Sequence, residues 1–294
     1  MGQKAVVLGA GGQLGVELVR VLTERGYQVT GFDRAGLDIC DASAVEQALG
    51  RLEPSIVLNA AAYNMVDVAE SDPQGAYLGN ALSVRNIAVV CRQLDALLVH
   101  FSTDYVFDGT AGRPYTEQDP THPIGAYAVS KLAGELYAQA YLDPLIIRTS
   151  GVFGPGGLRT ARGNFVELML RLANANNPIR VVEDFVASPT YAPALAERCA
   201  DLVEKKLRGI FHAGGGTAIS WFDYAAMIFE VFGLKPELRA TNEREYRTAA
   251  RRPKFSALSN SKMESAGVKP MPSLREALED YKAQRAVLVS ARSA

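Results

Sequence analysis

Tyr127 and Lys131 stand four residues apart in Ala126-Tyr127-Ala128-Val129-Ser130-Lys131, and the run Ser102-Thr103-Asp104-Tyr105-Val106-Phe107-Asp108-Gly109 lies just upstream. On a helix, residues four apart share a face. Lys131 is therefore expected one turn from Tyr127, with its ammonium close to the phenol. A nearby positive charge favours phenolate and draws the tyrosine pKa down from about 10 toward working pH, which suits a general acid or base. The hydroxyl of Thr103 can share the substrate oxygen. Thr103, Tyr127 and Lys131 are thus the candidate catalytic set, and the chemistry they suit is hydride transfer onto or off a carbonyl. A tyrosine and a lysine at helical spacing are common in themselves; it is the surrounding pattern that gives this pair meaning.

That pattern is an alternation of short β-rich runs and helical stretches. Strands are expected at Lys4–Leu8, Gln28–Phe32, Ser55–Asn59, Leu97–Phe101 and Leu145–Arg148. Helices are expected at Gln13–Arg25, at Ser43–Leu52 with Ser43 as N-cap, across Pro73–Leu94 without a break, and at Gly125–Tyr141. This order predicts an α/β fold, a Rossmann-type doubly wound parallel sheet with right-handed crossovers. After Ser150 the pattern loosens. Gly151–Gly163 reads as a loop, Asn164–Ala175, Pro193–Lys206 and Trp221–Phe232 as helices, Ile179–Val182 and Gly209–His212 as strands, and Arg239–Lys254 as charged and irregular. Residues 1–150 are therefore expected to form a dinucleotide-binding domain and 151–294 a smaller C-terminal substrate-binding domain with a soft boundary, open to segments that weave back to the first.

Gly9, Gly12 and Gly15 recur at three-residue spacing directly after the first strand and open the first helix. Backbone there can approach a pyrophosphate closely, and a helix N-terminus favours the anion, so Gly9, Gly12, Gln13 and Leu14 are candidate cofactor contacts. Asp33 ends the second strand, where an acid takes ribose hydroxyls, while Arg34 beside it suits a 2′-phosphate; the pair leaves NADPH or NADH open. Asp38 and Ile39 could flank the adenine. Ala60, Ala61, Ala62 and Tyr63 follow the third strand with small side chains that let a flat cofactor lie against backbone. Asn80 is also counted here, although a polar residue inside an apolar helix is more often an amide satisfied in the core. Ser102, Tyr127 and Lys131 complete the cofactor set.

Bulk properties set bounds. The chain has 294 residues, 48% of them hydrophobic, enough for a buried core. It carries 31 Lys+Arg against 32 Asp+Glu for a formal net charge of −1, which argues against a nucleic-acid or membrane surface. Cys40, Cys91 and Cys199 are too scattered for a disulfide framework or a metal pair, so a cytoplasmic setting is expected.

Taken together, the motifs resemble those of the dTDP-4-dehydrorhamnose reductase family of extended short-chain dehydrogenase/reductases. The resemblance runs nearly end to end: Gly12–Gly15, Leu37–Asp41, Asn59–Tyr63 with Val66–Glu70, Ser102–Gly109 with Pro114–Glu117, Tyr127–Lys131 with Gly134-Glu135, Arg148–Gly154, Asn164–Val166, Ser188–Ala192, Gly209–Gly214 and Arg252-Pro253. It implies NAD(P)H-dependent reduction of the 4-keto group of dTDP-4-dehydro-L-rhamnose, giving dTDP-L-rhamnose. It also implies Tyr127 as proton donor, Lys131 tuning it and holding the nicotinamide ribose, and Thr103 on the carbonyl oxygen. Asp104, Tyr105, Val106 and Phe107 would border the sugar and Phe153 would face the nucleotide-sugar side of the cleft. The chain departs from the family at Gly125, where Asn is usual, at Ala128, where Gly is usual, and at Asn64, where Thr is frequent. Some members bridge a dimer through acids and a divalent ion. Glu17 matches one such position, but Pro193 stands near another, so no metal is expected.

The expected partner is a small-molecule nucleotide-sugar, with the protein a monomer or homodimer. Arg159, Arg162, Arg171 and Arg180 add charge suited to a pyrophosphate, though surface solvation accounts for most such arginines. His100 is expected as a packed core residue and Trp221 as an apolar anchor. Two other functions share these motifs. A nucleotide-sugar epimerase would use the same tyrosine and lysine with NAD retained through the cycle. The regulatory β subunit of methionine adenosyltransferase resembles the same family and acts as a binding partner. Net consumption of reduced cofactor against a ketone separates the first, and an intact catalytic trio argues against the second.

Overall fold

The computed structural model describes residues 2–160, 163–175 and 177–293. Six parallel strands form the central sheet in the order β2-β1-β3-β4-β5-β8: β1 Lys4–Leu8, β2 Gln28–Phe32, β3 Ile56–Asn59, β4 Leu97–Thr103, β5 Leu145–Thr149 and β8 Gly209–His212. Between the first strands run α1 Gln13–Glu24, α2 Ala42–Leu52, α3 Pro73–Tyr77, α4 Ser83–Gln93 and α5 Ala126–Tyr141. The inner strands β1, β3, β4 and β5 are buried on both faces over nearly all their length, as a parallel sheet covered twice requires, while edge strand β2 is partly exposed. Along β1, Ala5 and Val7 point into one core with α1, while Val6 and Leu8 point into another with α2 and α4. β4 and β5 alternate the same way, Val99 and Phe101 against Leu98, and Leu145 and Ile147 against Ile146.

The chain beyond β5 folds as α6 Phe165–Ala173, β6 Ile179–Val182, β7 Val186–Ala187, α7 Ala192–Glu204, β8, β9 Ile219–Ser220, α8 Trp221–Phe232, β10 Leu238–Thr241, α9 Ser261–Ser265 and α10 Leu274–Ser293. Two of these elements belong to the central layer: β8 pairs with β5, and α7 shares a core with α1. The others form a cap in which β6 pairs with β10 and β7 with β9. At its centre Phe153, Phe165, Tyr191, Trp221, Tyr224 and Tyr281 pack ring on ring, with centroids 4.7–6.0 Å apart.

Some local expectations change. The N-cap of α2 is Asp41, whose carboxylate accepts the Ala44 N–H at 3.0 Å, and Ser43 lies inside the helix. The stretch Pro73–Leu94 is not one regular helix: a π turn, Leu78–Leu82, separates α3 from α4. The loop after β5 contains a 3-10 turn, Pro155–Arg159. β10 runs from Leu238 into the segment read as irregular, its backbone pairing with β6. Arg162 lies outside the described residues.

Candidate active site

The strand order reverses at β1, whose neighbours β2 and β3 lie on opposite sides. In open α/β sheets the crevice at such a point, beyond the strand C-termini, receives the ligand. Gly9 leaves β1 with φ +80°, and a Cβ there would stand 2.7 Å from the Ala61 nitrogen. A Cβ on Gly15 would stand 2.1 Å from the Gly9 carbonyl oxygen. Both positions demand glycine because two backbones meet. Gly12 begins α1 with no side-chain cap and no acid in the first turn, so the helix N-terminus is open to an anion. From the far side the turn Pro155–Arg159 leans on it: Asn164 donates to Gln13 Oε1 at 3.0 Å, and a Cβ on Gly156 would meet Gln13 Cα at 2.8 Å.

Asp33 ends β2 beside this loop, and its Oδ1 accepts the Gly36 N–H at 2.9 Å; Arg34 is exposed next to it. Asp38 accepts the Cys40 N–H in a local turn. The side chains of Leu14 and Ile39 lie in the two cores, so only their main chains can serve a ligand. Ala60, Ala61, Ala62 and Tyr63 are half-buried along the crevice. Asn80, on the π turn, is the exception in the cofactor set. Its Oδ1 accepts the Tyr63 N–H at 2.8 Å, and its Nδ2 donates to the Tyr63 carbonyl at 2.9 Å and to Ser130 Oγ at 3.0 Å. Its amide is engaged within the protein, where it holds the Tyr63 loop to α5.

The chemical residues gather at the end of β4. Lys131 is buried, and its ammonium donates to the Phe101 carbonyl at 2.6 Å, two residues before Thr103. Burial pulls its pKa from the ordinary 10.5 to about 8, with Glu135 opposing. The ammonium therefore has a main-chain partner besides whatever it offers the phenol, a feature absent from helical spacing alone. The Tyr127 hydroxyl lies 3.4 Å from Asn64 Oδ1, and its ring meets Tyr105 edge-on at 6.1 Å. Thr103 Oγ1 donates to Asp104 Oδ1 at 3.1 Å and accepts the Tyr105 N–H at 3.2 Å. Asp104 also accepts from Ser150 Oγ at 2.8 Å, and burial lifts its pKa from 3.8 to about 6. Burial and the Asp104 charge push the Tyr105 phenol well above its usual value.

Among the described residues, the buried hydroxyls of Ser102 and Thr149 have no hydrogen-bond partner. They sit at the C-terminal ends of adjacent strands, where a buried donor without a partner calls for a ligand or water. The glycine cradle, the open helix start and these hydroxyls fit a nicotinamide dinucleotide lying across the sheet edge. Asp67, after β3, and Arg252, in the cap, pair through two bonds of 3.0 and 2.7 Å. They join the two walls of the crevice.

Three residues expected on the sugar do not reach the crevice. Val106 and Phe107 are fully buried with Tyr115 and Leu258, Phe107 stacking on Tyr115 at 4.1 Å. The 3-10 turn Asp104–Val106 buries both Asp104, which bonds to Thr103 and Ser150, and Val106, which joins the apolar cluster. Phe153 is 1% exposed: its backbone bridges to Tyr191 and its ring joins the cap's aromatic cluster. His100 is buried, accepting from Asn59 Nδ2 at 3.3 Å, and Trp221 packs on Phe165. Arg159 and Arg171 are exposed, and Arg180 is taken up by Glu245 and Thr241. Sequence reasoning missed the pairing of Asn64 with Tyr127 and the clamp of Asp67 on Arg252, although Asp67, Tyr127 and Arg252 stood in the motifs it quoted and Asn64 was named as a departure.

Comparison with known proteins agrees with this geometry. A family model for the RmlD substrate binding domain matches residues 3–286. The chain is 40% identical over 283 residues to the spore coat polysaccharide biosynthesis protein SpsK of Bacillus subtilis, covering 96% of this chain and 98% of that one. It is 38% identical over 286 residues to the dTDP-4-dehydrorhamnose reductase of Streptomyces griseus, covering 94% and 91%. The crystal structure of dTDP-4-dehydrorhamnose reductase from Bacillus anthracis in complex with NADP superposes with a TM-score of 0.92 at 35% identity, covering 97% of this chain and 100% of that one.

Proposed function

The chain belongs to the dTDP-4-dehydrorhamnose reductase family, and on that premise we propose that it reduces the 4-keto group of dTDP-4-dehydro-L-rhamnose to give dTDP-L-rhamnose, with Tyr127 as proton donor. NADPH or NADH, bound along Gly9–Gly15, supplies the hydride. The observation that carries this reading is Lys131 bonded to the Phe101 carbonyl and Tyr127 set edge-on to Tyr105, whose N–H bonds Thr103, all at the C-terminal end of β4 in a sheet whose strand order reverses at the glycine cradle. The sugar ketone lies against Tyr127 Oη, which gives its proton to the carbonyl oxygen as C4 is reduced. Lys131, held by the Phe101 carbonyl, presents a fixed positive charge that favours the phenolate left behind. Thr103 joins in once its hydroxyl turns from Asp104 to the ketone oxygen. Tyr105 and Asp104 border the sugar. The substrate's nucleotide adds binding energy remote from the reacting carbon, so ketones without it are poor substrates.

The test follows absorbance of reduced nicotinamide with purified protein and enzymatically made dTDP-4-dehydro-L-rhamnose, in parallel with NADH and NADPH. One cofactor oxidised per ketone reduced supports the reading. Sugar isomerisation without net cofactor loss would replace it with the epimerase alternative.

A further inference from the structure

The helix that carries Tyr127 has no cap of its own. Its N-cap position is Gly125, extended at φ −153° and ψ 163°, with no side chain to accept from the first turn and no acid within that turn. The first N–H groups of a helix find no partner inside it. Here one partner comes from another element: Glu70 Oε1 accepts the Ala126 N–H at 2.9 Å, the residue immediately before Tyr127. Glu70 ends a single 3-10 turn, Val68–Glu70, in the loop between β3 and α3. The same loop is anchored at Asp67, which takes both Arg252 nitrogens and the Ala250 N–H at 3.1 Å. It also carries Asn64, the residue at the Tyr127 hydroxyl. Glycine at 125 and glutamate at 70 fit as a pair, because a Cβ at 125 would stand 2.9 Å from Glu70 Oε1.

We propose that Glu70 is a positioning residue, lending α5 the cap oxygen that Gly125 cannot supply and so fixing the first turn on which Tyr127 sits. The inference rests on the reading of Tyr127 as proton donor. Glu70 touches no reacting atom. It acts on the first N–H of the helix, one residue ahead of those an N-cap side chain ordinarily serves, and there negative charge suits the dipole. Small displacements of a proton donor are costly in rate.

The test compares wild type, Glu70→Gln, Glu70→Ala and the double variant Glu70→Ala/Gly125→Asn. Steady-state kinetics and site-resolved deuterium exchange at the Ala126 amide are read on each. Glu70→Ala should lower kcat about tenfold, leave KM for NADPH within about twofold, and speed exchange at Ala126 about tenfold. Glu70→Gln keeps the acceptor oxygen and should stay within about threefold of wild type on both readouts. Asn at 125, in a backbone conformation that suits an N-cap, would accept from the Tyr127 or Ala128 N–H, so in the Glu70→Ala background it should restore kcat while exchange at Ala126 stays fast. Wild-type kcat or unchanged exchange in Glu70→Ala would overturn the proposal. So would a Gln variant as impaired as Ala, or an Asn that leaves kcat unrestored. Exchange needs no substrate, so a wild-type protein that reduces no ketone would unseat the reading of the activity while the exchange data still judged the cap.

Discussion

Lys131 and Asp104 are both buried beside the crevice, and burial moves their pKa values toward neutrality from opposite ends. The Lys131 ammonium loses its proton around pH 8. If its charge supports the Tyr127 phenolate, kcat should hold level below that value and fall as pH rises through it. A pH profile at saturating cofactor and ketone checks this, and a rate still level to about pH 9.5 would remove Lys131's charge from the mechanism. Asp104 holds its proton to about pH 6, against roughly 4 in an unfolded chain. The folded protein therefore binds that proton more tightly, so the stability it brings is complete below about pH 4 and lost above about pH 6. At pH 7 the ionised, buried carboxylate costs on the order of 2–3 kcal/mol. Asp104→Asn should accordingly raise Tm by a few degrees at pH 7 and by less at pH 5, read by thermal unfolding. An unchanged or lower Tm at pH 7 would show that the hydroxyls of Thr103 and Ser150 offset the burial fully.

Elements hold these residues through contacts that local sequence shows unevenly. The strand alternation of β1, β4 and β5 could be read directly, since side-chain direction along a strand depends only on parity. The glycine cradle could also be read, because close backbone approach and positive φ leave few other residues possible. Burial within a motif was harder to see: Val106, Phe107 and Phe153 lie in conspicuous runs, yet a 3-10 turn and a backbone bridge send them inward. Asn80 shows the same limit, since its partners Tyr63 and Ser130 lie 17 and 50 residues away. The π turn under Asn80 brings its amide to both, tying the Tyr63 loop to the helix of Tyr127. Asn80→Ala should strand the Tyr63 N–H and carbonyl in a buried setting and destabilise the fold by about 2–4 kcal/mol. Denaturant unfolding measures it, and a loss below about 0.5 kcal/mol would mean that the loop is held elsewhere.

Across the whole molecule the proposed site lies where the cap faces one edge of the central sheet. The central layer supplies the cradle at β1 and the chemical groups at β4, while the cap leans on α1 through Asn164 and on the β3 loop through Arg252. On the proposed reading most of the cofactor's contacts lie in the cradle, away from the Tyr127 hydroxyl, so that hydroxyl can be removed with the cradle kept. Tyr127→Phe removes one oxygen from a half-buried ring and leaves the cradle intact. The most direct measurement is the rate of NADPH oxidation by this variant with saturating dTDP-4-dehydro-L-rhamnose, alongside the rise in Tm that NADPH produces in each protein. Turnover should fall by about 10²–10⁴-fold, with the NADPH-induced rise in Tm kept within error of wild type. Turnover at the wild-type rate would contradict the assignment of the proton to Tyr127 and, with it, the account of the site.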